Sequence, residues 1–426
     1  MRICLVSLCA VIVLTATSFR TRDTNNVNDV DLLDKIEQAQ KLVKKETVQM
    51  VYGVVGTQRV KVGRRKYTLV PVKGIVGREM AIAVIDARGA LHVVRAVKND
   101  QGLQVETTGF VLAMRKENGI NSDIGCIEPQ GGKVVAIKYP VDNEGGRFGP
   151  GPAVIEAVYT PYSGEIKNEH IVRRGIEVQS EFVQKAYRRL RDRGVYSRAF
   201  PGRKVVDVIP KQILTVLLMN EHIDPGDYRS ELLTRPLVER VLTVIGANRD
   251  KAYSYSVSYA GARGLVQMIP STYNRIASLY PSAGLMSNFV QGTGDPVNAV
   301  MAQILLCDSD WCAIRERADI PAERIGPYLA AAYNGGVGRV LSCLSNDEMD
   351  WMEQPESGTQ PMKTVTRRVP VVVRTRRGHK TTYVTKSYSE PIFRAQTNKY
   401  VRQYHWINNY FASRETDGFQ KMQDDH

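Results

Sequence analysis

Residues 259–272 read Tyr259-Ala-Gly-Ala-Arg-Gly264-Leu265-Val266-Gln267-Met-Ile-Pro270-Ser271-Thr272. Gly261 and Gly264 permit a tight backbone path of the kind that brings main chain close to a ligand. Gln267 both donates and accepts hydrogen bonds, which suits sugar hydroxyls and amides. Pro270 followed by Ser271 and Thr272 predicts the opening of a helix. As a bare glycine pattern the string is only a turn. Its weight comes from what lies on either side.

Upstream, Gln212 to Asn220 is an apolar run that predicts a helix, and it ends in Glu221-His222. One turn back, Leu217 and Leu218 lie on or near the Glu221 face. A carboxyl held against apolar surface resists ionisation, so its pKa rises. A general acid needs that property to keep its proton near neutral pH. Taken by itself, a helix-end glutamate exposed to water is the plainer reading. Downstream, Ala330-Ala-Ala-Tyr333-Asn334-Gly335-Gly336 places a tyrosine at the end of a small-residue helix. Tyr333 offers a ring face and a hydroxyl to a cleft. A helix end closed by glycine accounts for the same residues equally well.

Together the three pieces resemble the soluble lytic transglycosylase family. That family reads as a helix-end Glu-Ser, then Gly-Leu-Met-Gln, then Ala-Tyr-Asn-x-Gly. Gly264-Leu265-Val266-Gln267 matches the second with Val for Met, and Ala332-Tyr333-Asn334-Gly335-Gly336 matches the third. Asp295-Pro296 fits the opening of the intervening helix. Gln396-Thr397-Asn-Lys-Tyr400-Val401 resembles the closing Glu-Thr-x-x-Tyr-Val. The resemblance covers about residues 210–412. It departs in two places. His222 stands where the family has Ser, and forty-three positions separate Glu221 from Gly264, so one or two helices are expected to be inserted over 226–252. Residues 344–395 are a second insertion. Glu231 and Glu239 are nearer rivals for the acid. Glu231 precedes no matching turn and Glu239 falls mid-helix beside Arg240, whereas Glu221 follows an apolar helix and precedes Asp224-Pro225.

The resemblance implies a goose-lysozyme-like helical domain. It also implies cleavage of the bond between N-acetylmuramic acid and N-acetylglucosamine in peptidoglycan without water, giving a 1,6-anhydro product. Glu221 would act as acid and then as base, with Gly264, Gln267, Tyr333, Asn334 and Tyr400 around the sugars. Neither a metal nor another cofactor is implied. A hydrolytic muramidase and a catalytically inactive wall-binding or scaffold protein are the competing readings, and His222 with the long insertion is the best support for the second.

The rest of the chain is read from composition and periodicity. It has 426 residues, 43% hydrophobic and 24% charged, which excludes a largely disordered chain, a collagen and a multi-span membrane protein. Residues 1–18 fit a cleaved secretory signal, or an uncleaved membrane anchor, and place the protein in the bacterial periplasm or cell envelope. No stable membrane span is expected otherwise. Residues 19–49 are polar and then form a short helix. Residues 50–160 hold short β-branched segments such as Tyr67-Thr-Leu-Val-Pro-Val72 and Met80-Ala-Ile-Ala-Val-Ile85, separated by Gly or Asp, and predict a β-rich domain of unknown role. Residues 161–209 form a basic helical connector, 210–412 the helical domain and 413–426 a polar tail. The expected fold class is therefore α+β, with a β-hairpin inserted in the helical part. Cys126, Cys307, Cys312 and Cys343 are either small buried hydrophobes or the source of one disulfide.

The net charge of +14 is concentrated. Residues 361–404 carry eleven Lys/Arg, among them Arg374, Arg376 and Arg377, against the single acid Glu390. Residues 168–204 carry ten Lys/Arg against four acids. No nucleic-acid module accompanies these runs and an export signal argues against that partner. The expected partners are peptidoglycan glycan strands and anionic wall polymers, captured by the basic hairpin.

Overall fold

The computed structural model describes residues 29–424 apart from 65, 225, 345–351, 353–361, 376 and 377. The expected export signal, Pro225, Arg376 and Arg377 therefore lie outside the described residues. The fold is α+β, strand-rich first and helical after. A helix, α1 (Asp29–Lys44), leads into β1 (Met50–Lys61), β2 (Tyr67–Ile85), β3 (Leu91–Asn99), β4 (Gly102–Val105), β5 (Val111–Lys116), β6 (Asp123–Glu128), β7 (Lys133–Asp142) and β8 (Val154–Tyr159). The main sheet is antiparallel, in the order β4-β3-β2-β7-β8, with β1 added on β2. The strands β5 and β6 form a separate ribbon, joined through a tight 3-10 turn at Gly119–Asn121.

Met80-Ala-Ile-Ala-Val-Ile85 is buried along its whole length, and the period of two explains how. Ala81, Ala83 and Ile85 face Leu32, Ile36, Ala39 and Val43 of α1, whose spacing of three or four makes one helical stripe. Met80, Ile82 and Val84 turn the other way, into a core that continues through the helices to Phe411. The sheet and the helices thus share one hydrophobic core, and the strand-rich region is a wall of the helical body.

The helices are α2 (Glu169–Asp192), α3 (Lys211–Asn220), α4 (Thr234–Asn248), α5 (Pro270–Leu279), α6 (Phe289–Gly294), α7 (Pro296–Arg315), α8 (Ile325–Gly335) and α9 (Val337–Leu344). The hairpin β9 (Met362–Thr375) and β10 (Gly378–Pro391) precedes the last helix, α10 (Ala395–Asp424). The expected insertion over 226–252 is α4 with a 3-10 turn at each end, Glu231–Leu233 and Arg249–Lys251. The basic hairpin lies within the expected stretch 361–404: β9 and β10 pair without a slip from Met362 opposite Pro391 to Thr375 opposite Gly378. The helix α7, the one described helix long and apolar enough to cross a membrane, has 83% of that apolar window buried inside the fold and is a core helix. No disulfide forms among the described residues, and Cys307 is buried within α7.

The helices α2 and α4 meet at two glycines. A Cβ on Gly175 would lie 2.1 Å from the Leu242 carbonyl oxygen, and one on Gly246 would lie 2.2 Å from that of Ile171. Both neighbours are backbone, so neither helix yields without the other. Gly175→Ala is expected to destabilise the protein by about 1–3 kcal/mol through overpacking, read as a lowered midpoint in denaturant unfolding. An unchanged midpoint would mean that the two helices slide freely.

Candidate active site

Glu221 closes α3. Its N–H bonds the Leu217 carbonyl at 3.1 Å, and the α3 side chains from Leu217 to Asn220 are buried. The carboxyl is half-buried and lines a cavity of about 460 Å³. Burial lifts its pKa to about 7, and a hydrogen bond from Tyr400 pulls the other way. That bond runs from the Tyr400 hydroxyl to Glu221 Oε1 at 2.5 Å. Burial, and then the Glu221 charge, hold the Tyr400 phenol well above its ordinary pKa, so it remains the donor. Asn220 ties the two helices together, since its Nδ2 donates to the Tyr400 carbonyl at 2.9 Å.

The glycine-containing turn stands opposite. Tyr333, near the end of α8, donates its hydroxyl to the Val266 carbonyl at 2.5 Å. Its phenol is also held high, first by burial and then by the Glu221 charge. Gln267 lines the cavity and sits at φ 45°, a left-handed conformation that costs a non-glycine residue strain. Its Nε2 donates to the Gly264 carbonyl at 2.8 Å, which closes the turn on itself. Gly264 has φ 67°, and a Cβ there would lie 2.3 Å from the Thr293 carbonyl oxygen. Its need for glycine therefore comes from packing against α6. Asn334 accepts a hydrogen bond from Thr397 Oγ1 at 2.8 Å and braces α8 against the first turn of α10.

The structure thus brings Glu221, Gln267, Tyr333 and Tyr400 together. Gly264 and Asn334 support them from behind. Of the rival acids, Glu231 is exposed at the start of a 3-10 turn. Burial would raise the Glu239 carboxyl, but hydrogen bonds and charge from Arg235, at 2.8 Å, and Lys167, at 3.0 Å, outweigh it and hold the pKa low.

Three further residues, none of them expected around the sugars, line the cavity. His222 Nε2–H donates to the Leu265 carbonyl at 2.8 Å, and its ring stacks on Tyr253 at 3.5 Å and 10°. Burial lowers its pKa to about 4, so it is a neutral wall of the cavity at pH 7. The second comes from the 3-10 turn between β5 and β6. Asn121 lines the cavity, and its Nδ2 donates to Ser256 Oγ at 3.3 Å. Its Oδ1 is buried and accepts no hydrogen bond among the described residues. Only the pairing of β5 with β6 delivers this residue, and no local signal marks it. The third is Asp224, an exposed carboxylate on the same cavity, whose Oδ1 accepts from the Gly226 N–H at 2.8 Å. Among the described residues no three His, Cys, Asp or Glu side chains cluster as they would to hold a metal ion.

The raised Glu221 pKa has a consequence for stability. The folded protein holds this proton up to about pH 7, whereas the unfolded chain releases it near the ordinary value of 4.5. Between those values the folded state binds more protons, so stability falls as pH rises. Glu221→Gln, neutral throughout, is expected to be the more stable form at pH 8, by about 1–3 kcal/mol. The gain should vanish below pH 4.5. Chemical unfolding of both forms at pH 4 and pH 8 measures it, and a gain independent of pH would show that Glu221 is not held protonated.

Comparison with protein-family models, curated proteins and solved structures returns no match for this chain.

Proposed function

We propose that this chain is a peptidoglycan lytic transglycosylase. The observation that carries the reading is the Glu221 carboxyl, held protonated to about pH 7 at the wall of a cavity of about 460 Å³. The motif resemblance supplies the substrate class. In this reading Glu221 gives its proton to the glycosidic oxygen as the bond to C1 of N-acetylmuramic acid breaks. The resulting carboxylate accepts the Tyr400 hydrogen bond, which lowers the cost of its charge. It then takes the proton of the muramoyl 6-hydroxyl as that oxygen bonds to C1. Glu221 is protonated again and the product carries a 1,6-anhydro ring. One carboxyl therefore serves both steps. Gln267, on the cavity wall, is the group offered to sugar hydroxyls and the N-acetyl N–H. Tyr333 and Tyr400 position the turn and the acid. The reaction belongs outside the cytoplasm, where the expected export signal would send the chain.

A second reading is favoured by one observation. Asp224 shares the cavity, and glycosidases that hydrolyse generally use two flanking carboxyls. Mass spectrometry of muropeptides released from purified sacculi separates the two. A transglycosylase leaves products one water lighter than a hydrolase. Glu221→Gln is expected to lower release by about 100-fold to 10,000-fold, the usual worth of a general acid–base. Asp224→Asn should leave both rate and mass unchanged. Full-mass products that disappear in Asp224→Asn would establish the hydrolytic reading. No release by the wild type would leave a wall-binding protein.

The hairpin of β9 and β10 would supply capture. Lys363, Arg367, Arg368 and Lys386 lie along it, and among the described residues only Arg367 of these four has an ion-pair partner, Glu390 at 2.5 Å. Binding of the whole chain to sacculi is expected to weaken as salt rises from 50 to 300 mM, and on changing Arg368 and Lys386 to Gln, because charge pairing is screened. Pull-down of labelled protein with sacculi measures it, and salt-indifferent binding would refute capture by charge.

A further inference from the structure

Among the described residues, the outer part of the first β-hairpin pairs with no other strand. The strand β2 pairs with β3 and β7 only from Gly77 onward, so residues before Gly77 pair with β1 alone. From Val51–Gly77 to Lys61–Tyr67 the ribbon runs ten residues, roughly 33 Å at the usual rise per residue. A two-stranded ribbon by itself is marginal in water.

Its two faces differ. Gly53 and Gly74 are paired, and the side chains of Val76 and Val55 fold over them. Val72, Val70 and Val60 continue the same face by the period of two. These five valines are between 37% and 55% exposed, and no charged residue interrupts them. The opposite face carries Arg59, Lys61 and Lys73 among Tyr52, Leu69 and Tyr67, with the Arg59 guanidinium 4.3 Å above the Tyr67 ring. Residues 50–76 contain six Lys/Arg and no Asp or Glu.

We infer that this arm docks on an anionic lipid surface, with the valine face at the boundary of the acyl chains and the basic face among the headgroups. The charge decides between occupants. A second copy would bring six more positive charges to the arm. An anionic glycan or nucleic acid would satisfy the basic face but gain nothing from valines, which offer no hydrogen bonds and no ring to stack. A lipid interface uses both faces, and tyrosine suits the same depth. The inference does not rest on the enzymatic reading.

The test is co-sedimentation of the whole chain with vesicles of phosphatidylglycerol and phosphatidylcholine in equal parts, beside pure phosphatidylcholine. The chain is expected to pellet with the anionic vesicles and stay in solution with the neutral ones. Arg59→Gln with Lys61→Gln and Lys73→Gln should weaken the partition at least tenfold. Val70→Ser with Val72→Ser should weaken it at least threefold at unchanged unfolding midpoint. Val70→Ser alone serves if the pair unfolds. No pelleting with anionic vesicles overturns the inference, and so does a valine variant that binds as the wild type does. A concentration-dependent dimer in sedimentation velocity that the valine variant abolishes would assign the face to a second copy instead.

Discussion

The hydrogen bond from Tyr400 to Glu221 joins the two ends of the helical region. Glu221 closes α3 and Tyr400 stands early in α10, 179 positions later. Everything chemical about the cavity follows from the balance at this contact. Burial pushes the carboxyl toward its neutral form, and the phenol keeps the ionised form accessible. Without the burial the acid would be an ordinary carboxylate at neutral pH. Without the phenol the ionised form would lose its hydrogen-bond donor, and the carboxyl would hold its proton more tightly. Asn220, donating to the Tyr400 backbone, holds the two helices at the distance this bond needs.

The shared core makes that arrangement rigid. The sheet presents one face to α1 and the other to the helices, so a shift of α3 or α10 would disturb side chains as far away as Met80 and Ile82. The same continuity places the turn between β5 and β6 on the cavity wall. The strand-rich region thereby acquires a role that its own residues do not announce, as the carrier of Asn121.

Some of this was readable along the chain and some was not. Apolar runs with helical or alternating period mark α2, α3, α7 and the central strand, because local spacing alone decides which side is buried. The acid at the end of α3 and the turn from Gly264 to Gln267 were legible as motifs. The chemical role of each site residue was harder to read. Gly264 suggests an approach to a ligand, yet the contact that demands glycine is Thr293. Asn334 belongs to the motif but serves α10 through Thr397. His222 and Asn121 meet their cavity neighbours through a stack and a strand pairing between distant residues, which no periodicity encodes.

The turn that bears Gln267 is held from three sides. Gly264 rests on the Thr293 carbonyl, Tyr333 holds Val266 and His222 holds Leu265. Four consecutive residues, 264 to 267, thus have almost no freedom left to lose. A molecule entering the cavity meets a surface already arranged, and the entropy of association falls mainly on the molecule itself. Stiff oligosaccharides, or ring-locked mimics of them, should therefore be favoured over flexible chains bearing the same polar groups.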